Sequence, residues 1–227
     1  MLLNTNLSPS FTIQYIAVVF YFLSTRIFKL FSPLLLTALY IQCCLMLSML
    51  IKQCTKELRI STHSSNKQNA FRSFLRYYGF CHELFLFIEA ALSLQIFWLL
   101  SSHFTIIFIL ISTFFHFYGF SVSILDVEHS IFSVFQGISF FAVIFYASQV
   151  ESEDRKLRYE VKDFAFRLKL LKETKECSET LLDFVNSRCC LVLTASGVIQ
   201  FTKSLLLTSA GFLVTYNLLV LQLNAPQ

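Results

Sequence analysis

The chain has 227 residues, of which 56% are apolar and 16% aromatic, including 27 Phe, and its mean hydropathy is +0.64. Charged residues make up only 14% and gather in blocks between long apolar runs, which excludes an ordinary water-soluble domain and points to an all-α, polytopic transmembrane helical protein. The formal charge of +4 comes without any RNA- or DNA-binding pattern, so the basic residues are read as setting membrane orientation and no nucleic-acid partner is expected.

The first apolar run, Phe11 to Ser24, is short for a span and either crosses the bilayer or lies at its interface. Arg26 and Lys29 follow it rather than precede it, which disfavours a cleaved signal peptide. The run Ser32 to Ile51 is long enough to cross roughly 30 Å of hydrocarbon. A polar block, Lys52 to Arg76, then carries six Lys and Arg.

The segment Tyr77 to Phe120 is 44 residues long and as one helix would reach about 66 Å, roughly twice the bilayer thickness. Charge parity decides between one span and two. The block Val150 to Cys190 holds nine Lys and Arg, so fifteen of the eighteen lie in two loops that should both be cytoplasmic. An odd number of crossings between them would place one outside. One long helix is therefore expected, with its span at 83–118 and cytoplasmic loops at 52–79 and 150–190. The connector Ser121 to Ser130, with Asp126 and Glu128 and no Lys or Arg, then faces outward. Spans at 131–149 and 205–223 follow, giving four spans, or five with 11–24, in a single membrane domain. The same parity would put Arg26 and Lys29 outside if the first run does span.

Within the second basic block Leu157, Val161, Phe164, Leu168 and Leu171 recur at spacings of four, three, four and three, an a/d seam. It lapses at Lys175 and Ser178 and resumes at Leu182, Val185 and Cys189. The seam is either one amphipathic helix packed on its own chain or a helix bundle shared between subunits.

On the last span Ser204, Thr208, Gly211, Thr215 and Gln222 follow one helical face, while Leu206, Phe212, Leu213, Leu219 and Val220 lie largely elsewhere. Copies of that stripe around a symmetry axis would line a pore, with hydroxyls and the Gln amide replacing part of an ion's hydration shell. Small and hydroxyl residues also pack membrane helices together, so two readings stand.

His82, Glu89 and His103 share a face of the long helix, with His116 further along. Glu89 and His103 are roughly 21 Å apart along the axis at 1.5 Å per residue, too far for a shared metal or a proton hand-off, so helix packing or cavity lining is favoured over catalysis. His63 and His129 read as solvated loop residues. The cysteines, Cys43, Cys44, Cys54, Cys81, Cys177, Cys189 and Cys190, show no CxxC or Cys/His spacing suited to zinc. No metal, cofactor or disulfide framework is expected. Without a nucleophile motif, Walker loop or HExxH, neither is an enzyme.

From Leu191 the sequence reads LVLTASGVIQFTKSLLLTSAGFLVTYNLLVLQLN. This resembles the C-terminal signature of the insect gustatory receptor family: a small pair and Gly (Ala195, Ser196, Gly197), the step Phe201, Thr202, Lys203, the run Leu205 to Leu207, then Thr215, Tyr216, five residues and Gln222. The family's five residues are apolar and its Gln usually precedes Phe, whereas Asn217 opens the five here and Leu223 ends the motif. Upstream, Ser32 to Gln149 is in register with that family's fourth to sixth spans, so the resemblance covers about the C-terminal two thirds.

The resemblance implies a short version of the seven-helix chemoreceptor fold and a subunit of a ligand-gated cation channel for taste, in the plasma membrane of sensory neurons, with an extracellular C-terminus. It implies a homo- or hetero-tetramer with related subunits in the lipid bilayer, a small-molecule tastant, permeating cations, and a pore lined by the last helix, with Gln222 and Leu223 at the outer constriction. Leu157, Val161, Phe164, Leu168 and Leu171 would belong to a cytoplasmic subunit anchor. Family members have seven spans and the first two or three have no counterpart here, so the other expectation is a shortened, non-conducting relative that assembles with or modulates full-length subunits.

Overall fold

The structure is a computed structural model that describes residues 9–63, 67–116, 124–170 and 175–223. It consists of α1 (Pro9–His63), α2 (Lys67–His116), α3 (Ile124–Leu170), α4 (Lys175–Ser187), a two-stranded hairpin of β1 (Thr194–Ala195) and β2 (Ile199–Gln200), and α5 (Lys203–Leu223). Long apolar runs become helices because hydrocarbon offers the backbone no partner outside its own segment. Three stretches, in Phe31–Ile60, Arg72–Ser112 and Ser130–Lys169, are long and apolar enough to cross a membrane.

These helices are longer than the apolar runs that nucleate them. α1 takes in both Phe11 to Ser24 and Ser32 to Ile51, so the first run is the N-terminal part of a longer helix. Pro33, which the run lengths put at a span end, lies inside α1. α2 continues without a turn through His116, and Phe117 to Phe120 lie outside the described residues. α3 carries the span at 131–149 and most of the seam on one helix.

The chain forms two compact units, Met1–Leu39 and Tyr40–Gln227. In the first, the described side chains from Gln14 to Tyr21 are all exposed. In the second, apolar side chains such as Leu47, Ile51, Ile96 and Ile144 fill the core, and large apolar side chains also cover the surface. Phe87 is 71% exposed and Trp98 67%, with Leu86, Leu94, Ile109, Val134, Phe135 and Ile138 also facing out, while Gln136 is 2% exposed and His103, Ser133, Ser139 and Ser148 are buried. An apolar surface, with polar side chains admitted to the interior, is what a lipid solvent selects.

The seam is occupied within the chain. Leu157, Val161, Phe164 and Leu168 are all buried, as are Leu181 and Val185 of α4, against which α3 packs. An anchor seam shared between subunits requires these side chains on the outside, and here their apolar surface is already covered. The second half also shifts register: α4 buries Ser178, Leu181 and Val185, while Leu182 is half-buried and Cys189 exposed. Ser178 is no lapse, because its hydroxyl donates to the Ala165 carbonyl at 2.8 Å and is thereby satisfied inside the contact. Leu171 lies outside the described residues.

Candidate functional site: the last helix and the polar clamp behind it

The segment between α4 and α5 leaves the helical ladder, so its backbone groups need partners elsewhere. Some pair with each other: Thr194 faces Gln200 and Ala195 faces Ile199 in an antiparallel hairpin, and the Phe201 N–H donates to the Leu193 carbonyl at 3.0 Å. The turn places Ser196 at φ 55° and Gly197 at φ 69°, and the Val198 N–H closes it onto the Ala195 carbonyl at 3.1 Å. A left-handed pair suits Gly at Gly197 and strains Ser at Ser196. The Ser-Gly dipeptide is itself a turn signal in the sequence, beside its place in the motif.

The remaining partners come from one face of α2. The Thr194 N–H donates to Glu89 Oε2 at 3.0 Å and the Thr194 hydroxyl donates to Glu89 Oε1. One turn along, the Ser196 N–H reaches Ser93 Oγ at 2.7 Å and the Ser93 carbonyl at 3.2 Å. The Gly197 N–H donates to Thr194 Oγ1 at 3.1 Å. Glu89 thus has a structural partner in the hairpin. His103 is buried with Nδ1 unpartnered, and His82 is tilted against Phe85 at 6.3 Å between ring centroids. The side chains of His63, His116 and His129 lie outside those described. Among the described residues no group of three His, Cys, Asp or Glu is placed to hold a metal ion.

A second anchor is centred on Asp154 of α3, which is 0% exposed. Its carboxylate accepts from the Tyr78 hydroxyl at 3.0 Å, Arg158 Nε at 2.8 Å and the Leu191 N–H at 3.1 Å. Arg158 also donates to the carbonyls of Val185 at 2.8 Å and Cys189 at 2.5 Å and to the Tyr78 oxygen at 3.0 Å. One ion pair therefore ties α2, α3, the end of α4 and the start of the hairpin. No local pattern could have marked it, because Tyr78 and Asp154 are 76 residues apart.

α5 begins where Thr202 caps it: its hydroxyl accepts from the Leu205 N–H at 3.4 Å while its carbonyl accepts from the same group at 3.1 Å. The helix packs through Ser209, Leu213 and Asn217, all buried and spaced by four. Phe212 and Tyr216 flank that face, with ring centroids 5.9 Å from Phe104 and 5.0 Å from Phe108 respectively. Ser204, Thr208, Gly211, Thr215 and Gln222 are all exposed. At about 100° per residue their mean direction is roughly opposite the packed face. The side chain of Leu223 lies outside those described. The motif residues separate accordingly: Tyr216 packs toward α2, while Thr215 and Gln222 face away.

No protein-family model and no curated protein matches the chain.

Proposed function

We propose that this chain is a subunit of a ligand-gated cation channel of the gustatory receptor type, with α5 as the pore-lining fourth span and the basic blocks cytoplasmic. One observation carries the reading: the stripe Ser204, Thr208, Gly211, Thr215 and Gln222 is left uncovered on the side of α5 opposite its packing contact. Hydroxyls, a glycine and an amide on an unpartnered face are chemistry suited to a wet pore between subunits. The motif from Thr215 to Gln222 supports it, as does the clamp, because a pore helix must be held against the rest of its own subunit.

The subunits contact through surfaces other than the seam, which is filled from within. Homo- and hetero-tetramers with related subunits, a small-molecule ligand and permeating cations are all part of the proposal. The test is substituted-cysteine accessibility in cells that express the chain alone or with a related full-length subunit, after Cys189 and Cys190 have been replaced. A charged thiol reagent should alter currents through Thr208→Cys, Thr215→Cys and Gln222→Cys channels and leave Ser209→Cys and Leu213→Cys unaffected. Equal modification of both sets would place α5 away from the ion path.

A further inference from the structure

A cavity of about 370 Å³ opens between α3 and the start of α5, lined by Ser148, Glu151, Ser152, Arg155, Thr202, Lys203 and Ser204. Its depth is informative. The apolar run of α3 ends at Gln149 and that of α5 begins at Leu205, so with α5 as the proposed fourth span the cavity sits where both helices leave the hydrocarbon. The lining is polar and basic. Arg155 and Lys203 are exposed, and no carboxylate among the described residues pairs with Lys203. Glu151, nearly buried, holds Arg155 at 2.5 Å, leaving the lining one net positive charge. The hydroxyls of Thr202 and Ser204 lie 2.7 Å apart at the N-terminus of α5, where the helix dipole favours an anion.

We propose that this cavity binds the terminal phosphate monoester of an anionic lipid headgroup in the cytoplasmic leaflet. A monoester carries about −1.5 to −2 charges and three acceptor oxygens. That matches the Lys203 ammonium, the Arg155 N–H groups that Glu151 leaves free and the one hydroxyl proton of the Thr202 and Ser204 pair not used between them. Basic pockets at the cytoplasmic ends of membrane helices are suited to such headgroups, and the volume lies within the usual range for a small-ligand site. Because α5 starts inside the cavity, an occupied site would hold the base of the proposed pore helix to α3. The leaflet rests on the topology proposed above. The chemistry of the site does not.

The experiment uses the full chain in nanodiscs of phosphatidylcholine alone, or with phosphatidic acid, phosphatidylinositol 4-phosphate or, at matched charge, phosphatidylserine, with bound lipid counted by native mass spectrometry. Phosphatidic acid and phosphatidylinositol 4-phosphate should bind. R155Q/K203Q should weaken them at least tenfold. K162Q/K169Q, which removes two other exposed charges further along α3, should leave binding unchanged. E151Q should strengthen binding, since it frees Arg155 and removes a repelling carboxylate. The single variant K203Q, at an exposed side chain, serves if the double variant does not fold.

Equal losses in R155Q/K203Q and K162Q/K169Q, or equal binding of phosphatidylserine, would reduce the effect to bulk charge and overturn the site. Displacement of the lipid by millimolar inorganic phosphate would assign the cavity to a soluble phosphate and overturn the lipid source. Both nanodisc faces are open to solution, so these results do not depend on which face is cytoplasmic. Labelling of Cys189 by an impermeant reagent outside intact cells would overturn the topology separately.

Discussion

Asn217 Nδ2 donates to the Leu213 carbonyl at 2.6 Å, and its Oδ1 accepts the Ser112 hydroxyl at 3.3 Å across the contact between α5 and α2. The motif pattern has an apolar residue at this position, and an amide that is 2% exposed is tolerable there only with partners for both ends. Ser112 is the compensation. Interhelical hydrogen bonds of this kind contribute about 0.6 kcal/mol in membranes, and a serine left alone can turn back to its own helix carbonyl. Asn217→Leu should therefore change stability by no more than about 1 kcal/mol. Thermal unfolding in detergent measures it, and a loss several times larger would mean that the pair fixes the helix contact.

The Asp154 and Arg158 pair should behave in the opposite way. Asp154→Asn leaves a largely buried guanidinium without its counter-charge, which costs about 3–5 kcal/mol. Replacing both, Asp154→Leu with Arg158→Met, should be less costly than the sum of those two single changes, because no charge is then stranded, although the Tyr78 hydroxyl and the Leu191 N–H still lose their acceptor. Unfolding midpoints of the two single variants and the double variant give the coupling. Strict additivity would show that the two side chains act independently.

The contrast between these pairs explains what the sequence could and could not reveal. Apolar run length and charge-block parity anticipated long helices, and the α5 stripe was visible as helical periodicity, since all of these are local patterns. The Tyr78, Asp154 and Leu191 cluster was not, because its members come from three distant segments, Tyr78 and Asp154 look like ordinary polar residues at the edge of an apolar run, and Leu191 joins through its backbone N–H alone. Glu89 stands out as an ionisable residue on an apolar helix, but strands of only two residues leave no alternating pattern to announce the hairpin that partners it. The seam's period was correct for a packed helix, and period alone does not say whether α4 or a second subunit covers it.

Removing Glu89 should loosen the hairpin without unfolding the helices. The carboxylate accepts two bonds from Thr194, and hydrogen bonds to a charged group contribute about 1.5–3 kcal/mol each. In Glu89→Ala the amides of Thr194 and Ser196 should exchange with deuterium at least tenfold faster, while amides in the middle of α2 keep their protection. Thr194→Val, which keeps the N–H bond and loses the hydroxyl, should give a smaller increase. Unchanged exchange at both amides would mean that the strand pairing holds the hairpin by itself.

The seam and the outer face of α3 make separable predictions. Phe164→Asp with Leu168→Asp puts two carboxylates into a contact that is buried within the chain, so the variant should lose folded protein outright. Tyr159 is 76% exposed and Phe166, seven residues on, also faces out. Tyr159→Ser with Phe166→Ser should leave the fold intact and, if these aromatics touch a neighbouring subunit, reduce oligomer size. Size-exclusion chromatography with light scattering reads both. A well-folded but monomeric Phe164→Asp, Leu168→Asp variant would return the seam to the interface between subunits.

The last prediction concerns conduction through the proposed pore. Gln222 is exposed and continues the stripe that begins at Ser204, on the side of α5 opposite the buried Ser209, Leu213 and Asn217. Gln222→Glu adds one carboxylate per subunit, and a ring of like charge at a constriction strengthens the binding of divalent over monovalent cations. Calcium block should rise and relative calcium permeability should change, while Ser209→Ala, on the packed face, changes neither. Expression with a full-length relative makes a mixed ring, in which the effect scales with the number of variant subunits. Currents from channels shown to contain the variant, with divalent sensitivity and permeability both unaltered, would remove Gln222 from the ion path and leave the stripe as a helix-packing surface.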